Sequence, residues 1–156
     1  MDKNNSQIPM TREGLDELKE ELRQLVEEKR PEIVKRMADS RTIGDMTEDS
    51  EYSQAKQELV FIDGRISELE EVVGRSVIVG KKSSCQEVAL GCQVTVKIGK
   101  TNQAFHLVGE WEADPLEQKI SHQSPLGQAL LGKKVGEKVE VDAPAGKVAY
   151  TIVKIS

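Results

Sequence analysis

EYSQAKQELVFIDGRISELEEVVGR, residues 51–75, places Tyr52, Ala55, Leu59, Ile62, Ile66, Leu69 and Val73 alternately three and four positions apart. That alternation is the 3.5-residue period of a coiled-coil seam. Seven positions in step predict one long amphipathic helix. Gly64 lies off the seam, where it weakens the helix only slightly. Upstream, Leu15, Leu18, Leu22 and Leu25 repeat the pattern. Thr11 is a candidate N-cap, and Glu13 stands in the first turn, where the helix dipole favours a negative charge. The first seam drifts through Val26 to Ile33 and Met37, as at a stutter. Pro31 lies inside the run, where it removes one backbone donor and predicts a slight bend or a joint. This helix is expected to run through Arg41 and stop near Gly44. Two such helices with a short connection predict an antiparallel hairpin of about 40–45 Å.

Beyond Arg75 the period changes to two. Val94, Val96 and Ile98 alternate with Thr95 and Lys97, as in a half-buried strand. Residues 76–80, 104–109, 139–141 and 148–152 are further strand candidates. Pro144-Ala145-Gly146 supplies a turn. Within SPLGQALLG, Ser124 is a candidate N-cap and Pro125 suits the first helical position. Leu126, Ala129 and Leu130 share one face, and Gly132 is expected to end this short helix. The fold class is α+β with two domains: a helical hairpin over 1–75, and an antiparallel sheet with one helix over 76–156.

The chain has 156 residues and a formal charge of −5, with only 3% aromatics. The charge is uneven: residues 1–75 hold 12 bases and 19 acids, and the remainder 10 bases and 8 acids. An acidic hairpin is repelled by a phosphate backbone, so another contact must bring it to nucleic acid. No apolar run reaches the ~18–20 residues of a membrane span. The N-terminus lacks a signal-peptide pattern, which points to the cytoplasm. Cys85 and Cys92 could form one disulfide. The absence of secretory marks favours structural thiols, and a metal would need further ligands close by.

Asp39, Asp45, Glu48, Asp49 and Glu51 crowd around the bend between the helices, with only Arg41 among them. Asp45-x-x-Glu48 has the form of a capping box for the second helix. One cap needs one or two acids, and four fall within Asp45 to Glu51. Carboxylates without nearby cations repel, and a cation or an external partner relieves the penalty. Magnesium is usually held by one or two carboxylates with water and phosphate oxygens. A pair spaced i, i+3 makes half of such a site.

Three stretches resemble the bacterial transcript-cleavage factors of the GreA/GreB family. They are MTREGLDELKEELRQL with KRPEI, then GDMTEDSEYSQAKQELVFIDGRISELE, then SPLGQALLGKKVGEKVEVDAPAG. The resemblance spans about Met10 to Ile155. It implies a coiled-coil hairpin that enters the secondary channel of bacterial RNA polymerase, and an FKBP-like C-terminal domain that docks on the channel rim. It implies that Asp45 and Glu48 at the tip help hold a second Mg2+ of the polymerase, which then hydrolyses the 3′ end of backtracked RNA. On this reading the protein is no enzyme alone and has no cofactor of its own. It acts as a monomer away from membranes and meets the nascent RNA 3′ end indirectly. Asp49, Glu51 and Tyr52 are expected to support the tip, and Arg36, Arg41 and Lys56 to form a basic patch toward RNA. Asp49-Ser50 departs from the family's usual Asn-Ala. Some paralogues with altered tips inhibit the polymerase, and the matching Asp45 and Glu48 favour cleavage. An FKBP-like fold also raises prolyl isomerisation, which needs an aromatic-lined cleft. Phe105, Trp111 and Tyr150 are the aromatics available, and they show no clear cluster.

Overall fold

The computed structural model describes residues 6–42, 50–80 and 85–156. The first helical run is built in three pieces: α1 (Arg12–Gln24), a π-helical stretch (Leu25–Lys29) and α2 (Arg30–Thr42). The next described helix is α3 (Glu51–Arg75), whose 25 residues extend about 37 Å. The π stretch explains the seam drift. A heptad from Leu25 would land on Glu32; one inserted residue lands it on Ile33, which is buried. It also lies just ahead of Pro31, whose ring would crowd the carbonyl four residues back in a regular helix. The expected bend is therefore a local widening of the helix.

The π stretch and α2 pack against α3. Leu18, Leu25 and Ile33 are buried on one strand of the hairpin, and Ala55, Ile62, Leu69 and Val72 on the other. At its last turn the seam closes on Val72, with the expected Val73 only half-buried. Ion pairs bridge the helices outside the apolar seam: Arg65–Glu21 at 2.9 Å, Arg30–Asp63 at 2.8 Å, and Arg36–Glu58.

The other unit holds a five-stranded sheet in the order β5-β4-β3-β7-β6. Its strands are β3 (Gln93–Ile98), β4 (Thr101–Val108), β5 (Lys119–Ser121), β6 (Lys138–Ala143) and β7 (Gly146–Ile155). Four of the strands pair antiparallel, as expected, but β5 runs parallel to β4. Two 3-10 turns, Glu110–Glu112 and Pro115–Glu117, carry the chain back between them, so no hairpin forms. Helix α4 (Pro125–Leu130) covers one face and packs on β5 and β6. Ser124 caps it as expected, accepting the Gly127 N–H at 3.0 Å. Val88, Val94, Val96, Leu107, Leu130, Val139 and Ile152 make the core between them.

Two differences from the sequence reading concern this unit. First, the chain does not divide only at Arg75: residues through Leu15 cluster with the sheet. The cause is β1 (Ile8–Met10), which pairs parallel with β2 (Ser76–Ile78), Ile8 opposite Ser76 and Met10 opposite Ile78. Pro9 hides this strand in the sequence. Second, Cys85 and Cys92, expected as thiols, are joined in a disulfide, with Cα atoms 6.5 Å apart. A turn that sets the Cys92 N–H on the Ala89 carbonyl at 3.0 Å brings them together.

Candidate functional site

Three expected tip residues, Asp45, Glu48 and Asp49, lie outside the described residues. Their immediate neighbours are described. Ser50 is buried, its Oγ accepts the Ser53 N–H at 3.2 Å, and its carbonyl accepts the Gln54 N–H at 3.1 Å. Ser50 thus caps the described start of α3, the role expected of Asp45. Glu51 is the first residue of α3 and is exposed, its charge at the positive end of the helix dipole. Tyr52 is half-buried and follows the seam toward buried Ala55. On the facing helix, buried Ser40 donates to the Arg36 carbonyl at 2.7 Å.

The expected basic patch separates into two kinds of residue. Arg36 is half-buried, and its Nη2 donates to Glu58 across the helix pair. Its Nε is enclosed and has no hydrogen-bond partner among the described residues. An open polar depression lined by Arg36, Glu51, Gln54 and Glu58 sits beside it. Arg41 and Lys56 are exposed. Arg36 therefore ties the hairpin together below the bend, while Arg41 and Lys56 present their charge to solvent. Farther along, the Asp63 carboxylate raises the Arg30 guanidinium above its usual range, and Glu21 with Glu68 does the same for Arg65.

Two matches with known families decide membership. The family described as "Transcription elongation factor, N-terminal" matches residues 8–78, and "Transcription elongation factor, GreA/GreB, C-term" matches 82–156. The chain belongs to the GreA/GreB family of transcription elongation factors. It is 47% identical over 151 residues to Transcription elongation factor GreA of Lactococcus lactis subsp. cremoris (strain MG1363), covering 95% of this chain and 97% of that one. GreA of Thermodesulfovibrio yellowstonii is 45% identical over 152 residues, covering 96% of each. Among solved structures, the GreA factor homolog Gfh1 of Thermus thermophilus is 31% identical, with a TM-score of 0.45, covering 96% of this chain and 99% of that one.

Two features of this GreA/GreB chain escaped the sequence reading. The first is Glu112, which stands beside Trp111 and carries the structural role in that turn. Its Oε2 accepts the N–H of Gly109 at 2.9 Å and of Thr11 at 3.0 Å, and its Oε1 accepts the Thr11 hydroxyl. Thr11 in turn caps α1, accepting the Gly14 N–H at 3.2 Å. The signal was present: Gly109-x-x-Glu112 has the spacing by which a carboxylate three residues into a helix reaches back to the cap N–H. The second feature is on α3, where Val60 and Phe61 are 68% and 76% exposed one turn from Glu58. Neither falls on the seam, so periodicity passes over them.

The aromatics needed for an isomerase pocket are spent elsewhere. Phe105 and Tyr150 pack against the sheet core, and Trp111 stands in a 3-10 turn. Among the described residues no cluster of His, Cys, Asp and Glu could hold a metal alone, and no helix is long and apolar enough to cross a membrane.

Proposed function

We propose that this protein binds bacterial RNA polymerase, inserts its helical hairpin into the secondary channel, and stimulates cleavage of backtracked RNA at its 3′ end. The observation that carries this reading is Ser50 capping the described start of α3. With a serine in that role, helix capping no longer accounts for the acids before it. Asp45 and Glu48 fit as two carboxylate donors toward a shared Mg2+, and two donors are an incomplete set by themselves. The metal would supply activation of water and charge stabilisation in an in-line displacement. The chain supplies the two carboxylates, the rigid pair of helices that carries them, and the sheet unit as the docking platform. Exposed Arg41 and Lys56 lie near enough in sequence to the bend to meet RNA phosphates.

The test uses backtracked elongation complexes with Mg2+ and follows transcript shortening. The intact protein should accelerate cleavage. Asp45→Asn/Glu48→Gln should bind the complex equally well and lose at least a hundredfold of the acceleration. Equal action of both proteins would reduce the acids to solvated charges, and slowing by the intact protein would reverse the sign of the function.

A further inference from the structure

The sheet has a second face, away from the core, and its charge is one-sided. Strand register fixes what stands on it. Asn102, Lys97, Thr151 and Lys138 oppose one another in a single row across β4, β3, β7 and β6. Their neighbours along the strands, Val96, Ile152 and Val139, are buried, so this row points the other way, to solvent. In the adjacent row Lys154 opposes Thr95. Strands lie about 4.8 Å apart, so the first row spans about 14 Å, with Lys97 and Lys138 about 10 Å apart. Lys154 is diagonal to Lys97, at about 7–8 Å. All three lysines are exposed, and none is in an ion pair among the described residues. The acids on this face, Glu140 and Asp142, are confined to edge strand β6, and Asp142 opposes its own base, Lys147.

We propose that this lysine-bearing sheet face is a binding surface for the backbone of single-stranded RNA. Three ammonium groups with hydroxyl and amide donors between them suit phosphate oxygens. Protein interfaces are depleted in lysine and need buried apolar or aromatic anchors, which this row lacks. The absence of aromatics also removes base stacking, so binding is independent of sequence. A flat face accepts a flexible strand along its length, whereas a duplex cylinder touches it along a line. In a transcription elongation factor the single strand at hand is the transcript. This inference rests on the family alone and not on the Asp45–Glu48 reading.

Fluorescence anisotropy of the full protein with a labelled 20-nucleotide RNA tests it, between 50 and 200 mM salt. Each lysine–phosphate contact contributes about −0.7 to the slope of log K against log salt, so the face contributes about −2. Lys97→Gln/Lys138→Gln/Lys154→Gln should reduce the slope by that amount and weaken binding on the order of tenfold at low salt. Lys147→Gln, already opposite an acid, should change neither. Single neutralisations should each remove about 0.7 of slope, which keeps the test valid should the triple variant fold poorly. Photocrosslinks from the RNA should map to β3 and β7. No RNA binding by the intact protein, an unchanged slope in the triple variant, crosslinks confined to the hairpin, or equal affinity for duplex DNA would each overturn the proposal. Loss of cleavage stimulation in Asp45→Asn/Glu48→Gln leaves this slope untouched, so the two readings fail separately.

Discussion

Glu112 fixes the start of the first helix from a distance of about a hundred positions in the chain. Its carboxylate accepts from Thr11 twice and from Gly109 once. It occupies the space a side chain at residue 14 would need: a Cβ built on Gly14 meets Glu112 Oε1 at 1.9 Å. Gly14→Ala should therefore destabilise the protein by about 1–3 kcal/mol, measured as a shift in denaturation midpoint. The same substitution made on a Glu112→Ala background should stabilise, by up to about 1 kcal/mol, because only the helix-propensity difference remains. Additive effects in that cycle would refute the contact as the cause. Thr11 as a cap was readable from the sequence, since capping is local. Its partner was not, because nothing in a string of residues announces which carboxylate a fold will bring to a helix end.

At the scale of elements, the hairpin's seam was readable almost throughout, since a 3.5-residue period needs no tertiary information. The register change after Leu25 was visible only as drift; the π stretch that causes it depends on hydrogen bonds five residues apart. That stretch makes the hairpin sensitive to length. Inserting one more residue after Glu28 should turn everything after it by about 100°, move Ile33 and Met37 off α3, and lower helicity by circular dichroism, whereas deleting Glu28 sets Ile33 a heptad after Leu25 and should let the π stretch close to regular α-helix with the seam kept. Ser50→Ala should cost about 1 kcal/mol of stability through loss of the α3 cap. Acid should act on α1 as well. Hydrogen bonds from Arg23, and then Gln24, hold Glu20 below its ordinary carboxylate range. A depressed folded value means that this support is complete above about pH 4.5 and is lost as the pH falls through the lowered value. Helicity followed from pH 6 to pH 3 should decline at the acid end, and a Glu20→Gln variant should decline less.

For the whole molecule, the α+β division followed from the change of period after Arg75, because helices and strands print different repeats. The sheet's membership did not. Three-residue strands such as β1 and β5 carry too few positions to show a period, and only their partners give them a place. The Cys85–Cys92 bridge was likewise decided by a turn, not by the surrounding composition. It closes a short loop in the sheet unit and should stabilise it by about 2–3 kcal/mol. Calorimetry with reductant should lower the transition of the sheet unit by roughly 10 °C and leave that of the hairpin in place. Cys85→Ser/Cys92→Ser should show the lower transition with or without reductant.

The parallel pairing of β1 with β2 makes the hairpin an insertion inside the sheet unit's own chain. Residues 8–10 and 76–78 run side by side, so the chain leaves that unit at one end of a short parallel pair and re-enters at the other. During synthesis, β1 must wait until sixty-five more residues have emerged before its partner strand exists, and the hairpin can close in the meantime. The same adjacency makes the hairpin removable. A flexible linker of about a dozen residues joining Leu15 to Ser76, long enough to return along the parallel pair, should leave a self-contained sheet domain.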